Sequence, residues 1–194
     1  MADLSRAMHI VVDMQRLFSE HPDWAVKDIG RIRGEVQRMA ERKPGRTLWT
    51  RFIPAATARD AKGSWRAYYE AWPRATLEGG GADYVDLLPE HRTLAGRGAV
   101  FDKSGFSAFG NERFAAALQS AGVDTILLSG VETDVCVWAT ALDAIELGLF
   151  VVLARDALTG FSPEAHAAVL DVIAPRYVPQ IAVMTSGEID AAWK

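Results

Sequence analysis

A carboxylate, an ammonium and a thiol stand at three separated points of the chain: Asp13 in HIVVDMQ, Lys103 in FDKSGFSAF and Cys136 in SGVETDVCV. Together these types can do nucleophilic chemistry. A thiol that surrenders its proton to a carboxylate becomes a thiolate able to attack an electrophilic carbon, and a nearby ammonium favours the charges that develop. Cys136 is the only cysteine, so it cannot form an internal disulfide and is a core filler, a reactive group or a surface residue. Thr133 reads as a helix N-cap, which puts Asp134, Val135 and Cys136 in a first helical turn. There the partial positive charge favours thiolate, lowering a cysteine pKa from about 8.5 toward 7 or below, and unpaired N–H groups suit an oxyanion.

Taken singly, each residue has a plainer reading. An acid at a strand end is more often a cap or a solvated loop residue, and a free cysteine is more often buried packing. The elements around them change the weighing. Short β-branched runs alternate with amphipathic stretches: MHIVVDM (8–14), a helix over 26–42, RTLWTRF (46–52), GAVFDK (98–103), a helix over 111–122, DTILLSG (124–130), a helix over 133–148 and LFVVLAR (149–155). That rhythm predicts an α/β fold with a parallel sheet and helices on both faces. IVV and ILL are continuous apolar runs, as expected for strands covered on each side.

Gly122 and Gly148 fall where left-handed C-caps are wanted, Pro44-Gly45 closes the first helix, and Ser162-Pro163 opens another. YVPQIAVM (177–184) reads as a last strand that Pro179 confines to an edge. Residues 53–97 break the rhythm and read as an excursion over the sheet edge with an aromatic helix near 64–72. No linker or repeat divides the chain, so 1–194 reads as one domain. In an open parallel sheet, ligands bind beyond the carboxyl ends of the strands. Asp13, Lys103 and Cys136 each follow such an end, which brings them toward one rim.

Composition narrows the classes. Of 194 residues, 49% are hydrophobic and 24% charged, with net charge −4, so no basic field for nucleic acid is present. No apolar run approaches the ~20 residues of a membrane span, and Asp3 and Asp13 interrupt any leader-like stretch, which predicts a cytoplasmic protein with no membrane partner.

In this order and on these strand ends, HIVVDMQ, FDKSGFSAF and SGVETDVCVWATALDAIELG resemble the isochorismatase-like cysteine hydrolases. VVLARDALTGFSPEAHAAVL resembles that family's segment from strand five to the next helix, with Asp156 starting the loop. The similarity covers nearly the whole chain. It implies a three-layer α/β/α sandwich with a six-stranded parallel sheet in the order 3-2-1-4-5-6, and a Cys–Asp–Lys triad. In that scheme Cys136 attacks a carboxamide or ureido carbonyl, Asp13 moves the proton and Lys103 orients Asp13. A cis Val131–Glu132 peptide bond would set the N–H groups of Glu132 and Cys136 side by side as an oxyanion hole.

The pattern also departs from relatives. Nicotinamidases of this superfamily hold a metal through Asp-x-His after the second strand, but here TRFIPAATARD follows and no His occurs between His21 and His91. No catalytic metal and no cofactor are therefore expected, and His9 and His166 read as core or surface histidines. True isochorismatases split a vinyl ether without a thiol nucleophile, so Cys136 favours C–N hydrolysis through a thioester. Vinyl ether hydrolysis and a non-catalytic interaction subunit remain open. Phe18, Trp24, Arg51, Phe52, Trp65 and Tyr69 are candidate contacts to a small-molecule substrate, with Ile53, Tyr68 and Trp72 beside them. The aromatic spacing 65, 68, 69, 72 describes one helical face that could instead be packing, and Arg51 could be a structural ion pair. Apolar surface on the excursion and the edge strand, with the family's habit, implies a homo-oligomer, dimer or tetramer.

Overall fold

The apolar runs form six strands: β1 (Ala7–Val12), β2 (Thr47–Phe52), β3 (Val100–Lys103), β4 (Thr125–Gly130), β5 (Phe150–Leu158) and β6 (Ile181–Met184). The computed structural model describes residues 4–96 and 99–194. Asp3, Arg97 at the end of the excursion and Gly98 of GAVFDK lie outside the described residues. All pairings are parallel and the sheet runs β3-β2-β1-β4-β5-β6, as expected.

Every residue of β1 and β4 is buried, which is why neither sequence alternates. Ala7, Val11, Leu127 and Val152 point to one face, where they meet α1 (Ile29–Arg42) and α7 (Ser186–Ala192) through Ile32, Val36 and Ile189. Met8, Ile10, Ile126, Leu128 and Leu153 point to the other. There they meet Phe114 and Leu118 of α4 (Glu112–Ser120) and Ala141 and Ile145 of α5 (Trp138–Glu146). Burying each large aliphatic side chain contributes about 1.5 to 3 kcal/mol. The two apolar layers clamp the sheet and fix the positions of its ends.

Asn111 caps α4 by accepting from Arg113 N, and Ser162 caps α6 (Pro163–Ala168) by accepting from Ala165 N. Gly122 and Gly148 take positive φ at 62° and 80°. Pro44-Gly45 lie in a 3-10 turn, Pro44–Arg46, between α1 and β2.

Several boundaries differ from expectation. The excursion holds α2 (Trp65–Ala71) and also α3 (Pro89–Ala95), whose Pro89 at the first helical turn was the available signal. The last strand starts at Ile181, after the 3-10 turn Ala174–Tyr177, and lies at the edge as expected. α7 follows a capping box between Thr185 and Glu188. β5 runs on to Leu158 after a register shift beside Gly130, so Asp156 belongs to the strand and not to a loop start. Its carboxylate accepts from the backbone N–H and the hydroxyl of Ser186, each at 2.7 Å, and so anchors α7. Among the described residues no helix is long and apolar enough to cross a membrane.

Candidate active site

The register aligns the strand ends. Phe52 pairs with Lys103 and Val12 pairs with Gly130, so the residues that follow β1 and β4 share a rim with the end of β3. Asp13 is the residue after β1. It has φ 51°, the only positive value for a non-glycine among the described residues, and a turn at this point is what stops the strand. Its Oδ1 accepts from Thr50 Oγ1 at 2.6 Å, and its N–H donates to the same oxygen at 3.2 Å. Its Oδ2 lies 2.6 Å from Lys103 Nζ, and neither side chain is exposed.

Lys103 Nζ also donates to Gly105 O at 3.1 Å and sits 5.2 Å from the centre of the Phe52 ring. Burial alone would lower the pKa of this ammonium. Its ion pair with the Asp13 carboxylate, together with its contact with Cys136, outweighs burial and raises it, so Lys103 is cationic.

Gly130 ends β4 with φ 106°, and a Cβ there would lie 2.1 Å from Val12 O. The next peptide bond, Val131–Glu132, is cis. Thr133–Val137 is then a π-helical turn that leads into α5, a geometry that recurs at functional sites. This corrects the expected cap. Glu132 occupies the N-cap position without a side-chain capping bond, while Thr133 Oγ1 instead pairs with His166 Nδ1 at 2.8 Å across to α6. Thr140 ties the turn down by donating to Cys136 O at 2.7 Å and accepting from Ala108 N at 3.0 Å.

Cys136 is 4% exposed, and its thiol interacts with both Asp13 and Lys103. Burial pushes its pKa well up; Lys103 opposes the shift and Asp13 adds to it. The expectation of a lowered pKa is therefore overturned, because desolvation exceeds what a helix start and one ammonium return. At rest the group is a neutral thiol, and ionisation requires a partner that takes its proton.

Cys136 lines a cavity of about 350 Å³. Phe18, Trp24 and Phe52 line it, as the sequence suggested. Trp65 and Tyr69 do not; they line a neighbouring cavity of about 680 Å³ together with Ile53 and Lys103. The aromatic stripe keeps ring contact, Trp65 to Tyr68 at 5.2 Å and Tyr68 to Tyr69 at 5.6 Å, but divides between the cavities: Tyr68 and Trp72 line the thiol's, and Trp65 and Tyr69, stacked at 5.9 Å, line the neighbouring one. Arg51 reaches neither. It binds Asp102 through two parallel bonds of 2.7 and 2.9 Å and Asp86 at 3.1 Å, because strand register sets Asp102 directly beside it.

Sequence reasoning missed other walls of the cavity. Phe106 comes from the loop after β3, Phe161 and Ser162 come from the loop before α6, and Asp23, Glu132, Asp134 and Val135 complete the rim. Phe106 lies within FDKSGFSAF and Phe161 within the segment after β5, but neither sits in a periodic element that would show which way it points. His9 is a core residue: its Nε2 pairs with Ser129 Oγ at 2.7 Å, and burial, with His91 adding, lowers its pKa to about 3. His166 is half-buried and lowered by burial. Neither histidine lines the two cavities. After β2 come Ile53, Pro54, Ala55 and Ala56, and among the described residues no three His, Cys, Asp or Glu side chains are grouped to hold a metal ion, so the side chains at this exit do not fit one.

The family model described as "Isochorismatase domain" matches residues 7–186. An uncharacterized isochorismatase family protein, YwoC of Bacillus subtilis, is 35% identical over 95 residues, 49% of this chain and 50% of that protein. The ureidoacrylate amidohydrolase RutB of Variovorax paradoxus is 35% identical over 81 residues, 42% of this chain and 31% of that protein. The matches thus span half or less of these relatives' lengths. A crystal structure of a cysteine hydrolase from Pseudomonas syringae superposes with a TM-score of 0.77 over 100% of this chain and 96% of that one, at 24% identity, and shares the fold.

Proposed function

The chain belongs to the isochorismatase family, and from that premise we propose that it is a metal-independent cysteine hydrolase that cleaves a C–N bond of a small-molecule carboxamide or ureide through a thioester on Cys136. The observation that carries this reading is the buried Asp13–Lys103 pair set against the only thiol, on the wall of a cavity large enough for a small molecule.

A neutral thiol beside a carboxylate is matched to substrate-triggered proton transfer. As a carbonyl carbon approaches, Asp13 takes the thiol proton and Cys136 Sγ forms the new bond to carbon. The carbonyl oxygen gains the charge, which the N–H groups of Glu132 and Cys136 would receive. Collapse breaks the C–N bond, and the protonated Asp13 gives its proton to the departing amine. Asp13 then takes a proton from water, whose oxygen attacks the thioester; the acid leaves and the thiol is restored. Lys103 keeps its charge throughout and holds Asp13 in place, while Thr50 fixes the other oxygen.

Incubation with a panel of primary amides and ureides, followed by intact mass spectrometry, tests this reading. The expected result is an acyl adduct on Cys136 in wild type and its loss, with loss of turnover, in Cys136→Ala. Full activity of Cys136→Ala refutes it. Pyruvate release from isochorismate by both wild type and Cys136→Ser would assign vinyl ether hydrolysis by Asp13 instead. A homo-oligomer is part of the proposal: Val172 and Val178, 63% and 66% exposed near the β6 edge, offer apolar surface. Sedimentation as a stable monomer would refute that part.

A further inference from the structure

The walls of the Cys136 cavity carry an uneven charge. Aromatic side chains dominate its lining residues, with Phe52, Tyr68 and Phe106 joining Phe18, Trp24 and Phe161. The charged residues along it are all acidic: Asp23, Glu132 and Asp134, with no Lys, Arg or His among them. Two cations beside these acidic and catalytic groups are already committed. Lys103 is paired with Asp13, and Arg74 is paired with Asp23.

Glu132 and Asp134 are different. Glu132 accepts one bond, from Phe161 N at 2.9 Å. Asp134 forms no ion pair among the described residues, and its Oδ1 is buried without a hydrogen-bond partner. That oxygen lies against Gly160, where a Cβ would come within 2.8 Å of it, so the glycine leaves the carboxylate its space. Burial raises the pKa of Glu132, with the charges of Asp134 and Asp13 adding to the shift. The negative charge of Asp134 acts on Glu132, and both residues line the cavity, so a positive group bound there is attracted to this acidic wall. Aromatic faces are likewise attractive to a cation and neutral toward uncharged apolar groups, but they give a carboxylate nothing.

We infer that this cavity selects a cationic amide, one whose body bears an ammonium or other positive group, and rejects amides that carry a carboxylate, with Glu132 and Asp134 as the specificity-determining residues. The inference rests on the reading of the cavity as the substrate pocket of a cysteine hydrolase. No arginine or lysine lines this wall to pair with a substrate carboxylate, and the one arginine suggested for that role, Arg51, is held by Asp102 and Asp86 away from the cavity.

The binding test is separate from turnover. The Cys136→Ser protein is titrated by calorimetry with benzyltrimethylammonium, phenylacetamide and phenylacetate, three probes of similar size and different charge. The ammonium is expected to bind roughly tenfold more tightly than phenylacetate, and Asp134→Asn in the same background is expected to shrink the ammonium-to-phenylacetamide affinity ratio severalfold. Should that variant fail to fold, Glu132→Gln supplies the same measurement. Tighter or equal binding of phenylacetate, no measurable ammonium binding, or a ratio unmoved by both variants overturns the inference. Amide turnover is scored independently by the Cys136 adduct. Cation-selective binding with no adduct from any amide would fault the hydrolase reading alone, whereas adduct formation favouring carboxylate-bearing amides would fault the selectivity alone.

Discussion

Asp13 and Lys103 form an ion pair from which water is shut out on both sides, Nζ 2.6 Å from Oδ2 with neither side chain exposed. A buried pair of this kind contributes little net stability, because the cost of taking two charges out of water offsets their attraction. Its presence across the ends of β1 and β3, with β2 between them, and against a thiol is better explained by chemistry than by stability.

Removing one partner separates the two roles. Lys103→Met leaves the Asp13 carboxylate buried without its cation and is expected to cost about 3 to 5 kcal/mol in denaturant unfolding. Asp13→Asn keeps the shape and the Thr50 contact but cannot accept the thiol proton. Turnover on any amide substrate is expected to fall about 10²- to 10⁴-fold, with no adduct on Cys136. An Asp13→Asn protein that acylates at the wild-type rate would contradict the proton-acceptor role.

The Cys136 thiol resists ionisation in the folded protein, because burial raises its pKa against the pull of Lys103. Iodoacetamide is therefore expected to alkylate the resting protein slowly near pH 8.5, where an ordinary thiol is about half ionised, and to gain speed only at higher pH. Linkage has the same sign. The unfolded thiol loses its proton near pH 8.5 while the folded one keeps it, so the folded state binds more protons and stability falls as pH rises above that point. Lys103, also raised, acts in the same direction at higher pH. Urea unfolding between pH 7 and 10 checks this, and the decline is expected to be shallower in Cys136→Ser.

These properties mark the boundary of what the sequence could reveal. The sheet was legible because buried parallel strands read as unbroken apolar runs, and Asp13, Lys103 and Cys136 were legible because each lies where such a run stops. The cap at Thr133 was misread because its hydroxyl is taken by His166, thirty-three residues away on another helix. The thiol's pKa was misread because desolvation is a property of the assembled fold and not of the turn. Arg51 pairs with Asp102 only through the register of β2 against β3, which no local pattern encodes.

The cavity wall and the ion-paired end of β2 are expected to behave differently under substitution. Tyr68→Ala removes a ring from the cavity wall and should raise KM for an amide substrate about tenfold or more while Cys136 remains acylable. Arg51→Met breaks two ion pairs outside the cavity. Because Asp86 and Asp102 are about half exposed, it should change stability by about 1 kcal/mol or less and leave KM within about twofold. Steady-state kinetics on both variants decides whether the cavity at Cys136 or the surface at Arg51 binds substrate.

Gly130 is the residue that lets β4 turn into the Cys136 loop, and two constraints act on it at once. Its φ of 106° disfavours any side chain, and an added Cβ would lie 2.1 Å from Val12 O in the adjacent strand, where backbone cannot yield cheaply. Gly122 offers the comparison, since it also has positive φ, 62°, but a Cβ there meets nothing within 4 Å. Gly122→Ala is therefore expected to cost about 1 to 2 kcal/mol from backbone strain alone and to leave turnover per folded molecule unchanged. Gly130→Ala adds the collision and is expected to cost about 3 kcal/mol or more. Relief of that collision must push β4 from β1, which separates Cys136 from Asp13, so turnover per folded molecule should fall as well. Equal stability and equal turnover for the two alanine variants would show that the close approach of β1 to Gly130 does not set the geometry of the thiol.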